Sequence, residues 1–149
     1  MTADQQQILF DRYPKLFRQK DLPKTQTCMC WGITCGPGWF QLLDDLCAQL
    51  ALLDRVAGVH VEFMQLKSKL ATLRAYYDIV ELPEYPGEDQ ANWHNIVAAI
   101  VETAERRSAS TCEETGRYGD LYVRGGWYKT LNLDYVKTHP EEEWERAQG

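Results

Sequence analysis

Cations and aromatic rings alternate in one short segment near the C-terminal end of the chain. The segment runs from Arg117 to Lys129 and reads RYGDLYVRGGWYK. Bases of single-stranded nucleic acid stack on such rings while cations follow the phosphates, but Trp, Tyr and Arg also dominate protein–protein hot spots. Because neighbouring acids largely cancel these cations, we favour a protein partner over nucleic acid. The alternative is that Tyr122 and Trp127 only fill a small core. The predicted binding residues of the segment are Arg117, Tyr118, Arg124, Trp127 and Lys129.

Three cysteines lie close together and could supply thiolates to a metal ion. Cys28, Cys30 and Cys35 form a C-x-C-x4-C pattern. Zinc in structural sites needs four tetrahedral ligands, and Cys112 is the one remaining candidate outside a helix stripe. Small apolar thiols packed beneath tryptophans are the alternative. Because three ligands alone are local, we predict neither a metal nor a cofactor.

A second cysteine pattern is typical of half a zinc knuckle. In a C-x-x-C-G turn the backbone bends around the metal, and glycine gives the turn an unhindered backbone. Here Cys112 and Gly116 keep their places, but Thr115 stands at the second cysteine position. The other half would follow Leu131, where residues 132–135 contain neither Cys nor His. The sequence therefore predicts a knuckle-like module in which hydrogen bonds and aromatic packing replace the metal.

Glu62, Lys67 and Arg74 form another polar set. Together they could bind an anion or act on a phosphodiester, but a nuclease of this kind would need a second acid to hold a divalent metal. An ion-pair network is the favoured interpretation. The sequence contains no nucleophile elbow, no phosphate-binding GK(S/T) loop and no pair of histidines at helical spacing. We therefore predict no catalytic residues. The alternative function is a nucleotide-binding or nucleic-acid-binding protein, or an enzyme, that uses these three residues.

Length and composition limit the classes of protein to which the chain can belong. Its 149 residues suit one domain, and 44% hydrophobic with 26% charged residues are typical of a folded protein. Sixteen Lys and Arg against 22 Asp and Glu give a net charge of −6, which argues against wrapping of duplex DNA. No apolar run reaches the roughly 20 residues of a membrane span, and no signal peptide is recognisable. With an odd count of five cysteines, this predicts a cytoplasmic protein without a membrane partner.

Hydrophobic periodicity predicts the elements that position these residues. Helical spacing of apolar residues predicts helices over residues 4–13, 37–57 and 90–108, with Gly58 ending the second. In the third helix the predicted buried stripe consists of Trp93, Ile96, Val97, Ile100 and Ala104. Alternation predicts paired strands over residues 59–66 and 73–80, although residues 64–74 could equally be helical.

The remaining segments are shorter or rich in turn residues. Residues 82–90 contain two prolines, a glycine and three acids and are predicted to be a surface loop. Residues 121–123 are predicted to form a strand, followed by a turn at Gly125 and Gly126. The spacing of Thr138 and Glu141 matches a capping box, which predicts a final acidic helix.

These elements predict a single α+β domain over residues 1–149. Two long amphipathic helices pack on a small antiparallel sheet, and a small knuckle-like β module follows. The predicted segments are an N-terminal helix and connector over 1–30, a core over 31–109, the degenerate knuckle over 110–135 and the acidic helix over 136–149.

Three blocks of the sequence resemble a family of small proteins of tailed bacteriophages and prophages. WGITCGPGWFQLLDDLC, from Trp31 to Cys47, resembles the family segment CGDGWFDLIDELC, and residues 65–77 are similar to QVKEKFGGLRFYY. Residues 104–116 and 126–131 look like its C-terminal AE..S..TCE.CG and GW..TLC..H stretches. The blocks occur in the same order and span most of residues 31–132.

The resemblance implies a phage-borne accessory protein in the host bacterial cytoplasm, and the family has no activity to carry over. Family members look like Cys-x-x-Cys plus Cys-x-x-His knuckles; Cys112 matches the first ligand, and Thr115, Asn132 and Tyr135 stand at the other three places. Arg74 is retained and joins the predicted binding residues. We expect non-catalytic binding of a host or phage macromolecule, with a role in the virion or its assembly as a further alternative and the oligomeric state left open.

Overall fold

The chain folds into an α+β structure, which confirms the predicted class. The computed structural model describes residues 1–83 and 90–147, without the side chains of residues 90 and 91. The helices within these residues are α1 (Ala3–Arg12), α2 (Phe40–Ala57), α3 (Gln90–Ser108) and α4 (Leu133–Thr138). The strands are β1 (His60–Lys69), β2 (Thr72–Glu81), β3 (Asp120–Arg124), β4 (Trp127–Leu131) and β5 (Glu145–Arg146). They form two antiparallel sheets, β1–β2 and β4–β3–β5.

The main core lies between the first sheet and helices α2 and α3. Helix α2 has 18 residues, and Leu43, Leu46 and Leu50 at three- and four-residue spacing are buried. Gly58 ends it with φ of 70°, a left-handed conformation that glycine adopts without steric cost. In α3 the stripe differs from the prediction at Ile96, which is exposed, while Val101 is buried. Ile96 belongs to the outer side because its helix packs on α2 and β2 along the side of Val97 and Val101.

Residues 64–74 are strand and turn, which resolves the ambiguity between helix and strand. The β1–β2 hairpin turns at Leu70 and Ala71, whose φ values are 52° and 66°. Left-handed backbone is costly for residues with a side chain. The turn is held from the other side, because the hydroxyl of Thr130 donates to the carbonyl of Ala71 at 2.9 Å. The hairpin is thereby tied to the second sheet.

The second sheet has a small core of its own. Strands β3 and β4 are joined by Gly125 and Gly126, with φ of 52° and 84°, as predicted for this turn. The core beneath the sheet consists of Cys112, Tyr122, Leu131 and Trp144, with Tyr135 and Val136 packed against it.

The prediction of an acidic C-terminal helix over 136–149 is wrong for the described residues. Helix α4 ends at Thr138, and a short 3-10 turn at Pro140–Glu142 follows. Proline disfavours helical backbone at the residue before it, and Glu143 has φ of 53°. Trp144 is then buried on the second sheet, and β5 pairs with β3. Residues 148 and 149 lie outside the described part, as do 84–89 of the predicted loop.

Candidate binding surface on the second sheet

The β3–β4 hairpin carries most of the predicted binding residues. Arg124 pairs with Trp127 across the strands, and Tyr122 pairs with Lys129. Directly opposed residues of antiparallel strands share a face. Tyr122 is buried in the small core, whereas Trp127, next to the glycine turn, is 74% exposed. The alternative that both rings fill a core therefore holds for Tyr122 and fails for Trp127.

Arg124 is held in place by an aromatic ring. Its guanidinium lies 4.6 Å from the centroid of the Trp144 ring and donates a hydrogen bond to the carbonyl of Glu142 at 3.0 Å. A cation above a tryptophan face is attracted by the ring quadrupole. Arg124 therefore presents a positioned cation, and Trp144 gains a partner that shields one face of its ring.

The positive charge of Lys129 is balanced by an acid within the protein. Its ammonium donates to Glu114 Oε1 at 2.5 Å. Burial disfavours the charged form, but the hydrogen bond and charge of Glu114 outweigh it and raise the pKa of Lys129. Lys129 thus contributes less free positive charge to the surface than its type suggests.

A groove of about 440 Å³ opens beside these residues. The turn of the first hairpin, with Ser68, Lys69 and Leu70, forms one side. The second sheet provides the other lining residues, which include Arg124, Trp127, Tyr128, Lys129 and Trp144. The fold therefore brings three predicted residues, Arg124, Trp127 and Lys129, to one groove.

Sequence reasoning missed several residues of this groove. Lys69 and Leu70 are distant along the chain and reach it because Thr130 binds the carbonyl of Ala71. The sequence predicts Trp144 to lie in an acidic helix, and Tyr128 is not among the predicted binding residues. The density of aromatic residues from 122 to 128 was the signal that could have included Tyr128.

The other predicted residues lie elsewhere. Arg117 and Tyr118 are exposed before the start of β3, at the end of the hairpin opposite the glycine turn. The guanidinium of Arg117 is 3.8 Å from the carboxylate of Asp134. Arg74 donates to Thr72 Oγ1 at 2.6 Å and lines a separate depression with Glu102, Glu105 and Arg106.

Glu62, Lys67 and Arg74 each have different partners. Glu62 is buried, accepts from Arg18 at 2.5 and 3.0 Å and accepts from Gln19 at 3.2 Å. Burial opposes the charged carboxylate, but these hydrogen bonds outweigh it and lower the pKa of Glu62. Lys67 lies over the Tyr76 ring at 5.5 Å. The geometry agrees with an ion pair at Glu62, and neither Glu62 nor Lys67 lines the depression that Arg74 lines.

The three N-terminal cysteines differ in their surroundings. Cys28 is exposed, and the Cys30 thiol donates to the carbonyl of Thr27 at 3.3 Å. Cys35 is buried, and desolvation raises its pKa to about 12, which keeps the thiol protonated. Over residues 1–83 and 90–147, no group of three His, Cys, Asp or Glu side chains is arranged to hold a metal.

The four positions that the resemblance assigns to metal ligands have local hydrogen bonds. The Thr115 amide donates to Cys112 Sγ at 3.4 Å, and Gly116 has φ of 75°. Asn132 Oδ1 accepts from the Asp134 amide at 2.9 Å, and its Nδ2 donates to the carbonyl of Tyr118 at 2.7 Å.

Tyr135, the fourth of these positions, packs at the edge of the small core. Its hydroxyl donates to Glu142 Oε1 at 2.8 Å, and its ring stacks on His139 at 4.2 Å. Burial is the largest contribution that raises the pKa of Tyr135, and the negative charge and hydrogen bond of Glu142 raise it further. The phenol is therefore a fixed hydrogen-bond donor.

Glu113 joins the second sheet to the rest of the molecule. Its buried carboxylate accepts from the Gly36 amide and from the Ser68 hydroxyl, both at 2.9 Å. Its backbone amide donates to Thr130, and its carbonyl accepts from the Gly38 amide at 2.8 Å. A single residue thus connects the loop before α2, strand β1 and strand β4, and it also lines the groove.

Comparisons with protein-family models, with curated proteins and with solved structures found no match to this chain. None of the described helices is long and apolar enough to cross a membrane. Function must therefore be argued from the side chains of the groove.

Proposed function

We propose that this chain is a non-catalytic protein that binds a protein partner through the groove beside Trp127. The exposed indole carries the proposal, because a tryptophan that is 74% exposed and borders an aromatic groove has the properties of an interface hot spot. A protein partner is favoured over nucleic acid, because Lys129 is paired with Glu114 and the net charge is −6. The resemblance supports a phage-borne accessory protein acting in the host bacterial cytoplasm.

Replacing Trp127 by alanine should remove partner binding without loss of stability. The three proteins to compare as baits in a bacterial lysate are the wild type, Trp127→Ala and Trp31→Ala. Trp31 is the matched control because it is 69% exposed and does not line the groove. We expect a protein that the wild type and Trp31→Ala recover and Trp127→Ala does not. Once that protein is purified, Trp127→Ala should weaken its free energy of binding by about 2 kcal/mol, or roughly 30-fold in Kd.

An identical set of recovered proteins for all three baits would contradict the proposal. Thermal unfolding of each variant is the control, since the side chain of Trp127 contributes little to the core and its removal should leave the midpoint unchanged.

The module from Cys112 to Tyr135 is proposed to be a zinc knuckle that folds without zinc. The sulfur of Cys112 accepts a hydrogen bond from a backbone amide, and Asn132 caps the N-terminus of α4. The hydroxyl of Tyr135 donates a hydrogen bond to Glu142. These three residues stand at positions where the family that this sequence resembles has metal ligands, and here their side chains form hydrogen bonds within the protein.

Metal removal should therefore leave this protein folded. We expect elemental analysis of the native protein to find less than stoichiometric zinc, and unfolding to be unchanged by a chelator. In a true knuckle, metal binding supplies the folding free energy and a chelator unfolds the module. Stoichiometric zinc that is lost in Cys112→Ala would contradict a metal-free module.

A further inference from the structure

Strand β4 is an outer strand of the second sheet and has one free side. The sheet order β4–β3–β5 leaves the side of β4 opposite β3 without a neighbouring strand in the described part of the chain. Backbone groups of successive residues in an antiparallel strand point alternately to the two sides. The carbonyl of Thr130 accepts from the Glu113 amide, so it points away from β3. Tyr128, two residues earlier, must point its own N–H and C=O to the same side.

The second strand of the sheet supports the same alternation. Arg124 and Trp127 flank a two-residue turn and form a hydrogen-bonded pair, which makes Val123 and Tyr128 a pair without mutual hydrogen bonds. On the far side of β3 the carbonyl of Leu121 accepts from Ala147, as this register requires. The register directs the amide and carbonyl of Tyr128 away from β3, and no backbone hydrogen bond from a loop or turn within residues 1–83 and 90–147 reaches them.

The groove borders this free edge at Tyr128. Its lining includes Tyr128 and Trp127 on the sheet and Leu70 on the first hairpin, and all three are exposed large apolar residues. An extended chain laid beside Tyr128 would find main-chain partners on β4 and apolar contacts at both sides. Main-chain bonds of this kind give affinity, and pockets for alternate side chains give selectivity.

Two cations at the groove lack a carboxylate partner. Lys69 and Arg124 both line it, and neither forms an ion pair with an acid in the described residues. The buried carboxylate of Glu113 already accepts two hydrogen bonds. The complementary ligand therefore carries negative charge next to its apolar residues.

We propose that the groove binds an extended acidic peptide segment of a partner protein, which adds to the sheet as a strand beside β4. The segment exchanges hydrogen bonds with the N–H and C=O of Tyr128, places an apolar side chain against Trp127 and Leu70, and pairs an Asp or Glu with Lys69 or Arg124. This inference rests on the proposed function, since it specifies the partner's chemistry at the same groove. Nucleic acid is disfavoured because a sugar-phosphate chain offers no peptide groups to pair with a strand edge.

Selection from a displayed library of random dodecapeptides tests the proposal, with the full chain as bait. We expect the enriched peptides to alternate apolar with other residues and to contain at least one Asp or Glu beside the apolar set. Synthetic versions should then be N-methylated one residue at a time. Strand addition predicts that methylation weakens binding at the one peptide residue that pairs with Tyr128, and not at the residues on either side of it, whose amides face away from β4.

Two substitutions at one position separate the backbone from the side chain. Tyr128→Pro removes the outward N–H and leaves the ladder to β3 intact, since proline is tolerated at a strand edge. Tyr128→Ala removes the ring and keeps the N–H. We expect Tyr128→Pro to bind the selected peptide about tenfold more weakly than Tyr128→Ala does, with the same thermal unfolding midpoint.

Four results would overturn strand addition. They are enriched peptides with helical spacing, methylation that weakens binding at no position or equally at adjacent positions, binding of oligo(dT) in place of peptides, and a dimer in sedimentation that buries Trp127. If binding of the selected peptides depends on Trp127 but methylation weakens it at no single position, strand addition fails and the proposed function stands. If no protein or peptide depends on Trp127, the proposed function fails as well.

Discussion

Replacing Glu113 by alanine should lower the free energy of unfolding by about 3 kcal/mol. Glu113 is 3% exposed, and its carboxylate accepts hydrogen bonds from the Gly36 amide and the Ser68 hydroxyl. Truncation leaves both donors without a partner, and each such donor costs roughly 1–3 kcal/mol when it stays buried. Denaturant unfolding followed by circular dichroism measures the change.

The neighbouring acid provides the matched control. Glu114 carries the same charge and pairs with Lys129 nearer the surface, so Glu114→Ala should cost less than about 1 kcal/mol. Glu113→Gln preserves an acceptor for one donor and should be intermediate. Equal effects of Glu113→Ala and Glu114→Ala would show that Glu113 does not connect the two sheets.

The second large effect is expected at Gly38, where alanine should cost about 3 kcal/mol or more. A methyl group there would overlap the carbonyl oxygen of Cys112 and the amide of Gly116, and would lie 2.6 Å from the amide nitrogen of Thr115. All three atoms belong to backbone, which cannot rotate away as a side chain can. Overpacking usually costs 1–3 kcal/mol and more where the surroundings are rigid.

Gly58→Ala is the control for the general cost of losing a glycine. Nothing lies within 4 Å of its added methyl group, and the cost there is that of left-handed backbone, about 1 kcal/mol. If Gly38→Ala and Gly58→Ala lower the free energy of unfolding equally, the close approach of residues 36–38 to residues 112–116 does not contribute to the cost at Gly38. The measurement is the same denaturant unfolding, with amide exchange of residues 112–131 reporting local separation of the second sheet.

Local patterns predicted most of the elements correctly. Apolar residues at helical spacing predicted α2 and α3, and paired glycines predicted the turn at Gly125 and Gly126. These signals are local, because helix caps, turn glycines and side-chain period depend on residues a few positions apart. The C-terminal helix failed because a capping box is a weaker signal than Pro140 and the burial of Trp144.

The candidate site was predicted in part. Arg124, Trp127 and Lys129 were predicted from the mixture of cations and aromatic rings in residues 117–129. They reach one groove because β3 and β4 form a hairpin that places them on one face. Arg74 belongs to a different depression, and the exposure of Trp127 against the burial of Tyr122 could not be read from their types. Tyr and Trp are both enriched in strands and both pack well in cores, so residue type does not distinguish them. The packing of Trp144 and α4 decided that Tyr122 is the covered ring.

By itself, the sequence determined the α+β class, the helices α2 and α3, the turn at Gly125 and Gly126 and the aromatic character of the C-terminal segment. It left residues 64–74 open between helix and strand, and it did not predict β4. The tertiary structure alone decided that Glu113 joins the loop before α2 to β1, that Lys69 and Leu70 face Trp127 across a groove, and that β4 has a free edge. The reason is physical: periodicity and turn chemistry act over a few residues, whereas a groove depends on side chains far apart in sequence, whose approach is set by the packing of the whole chain.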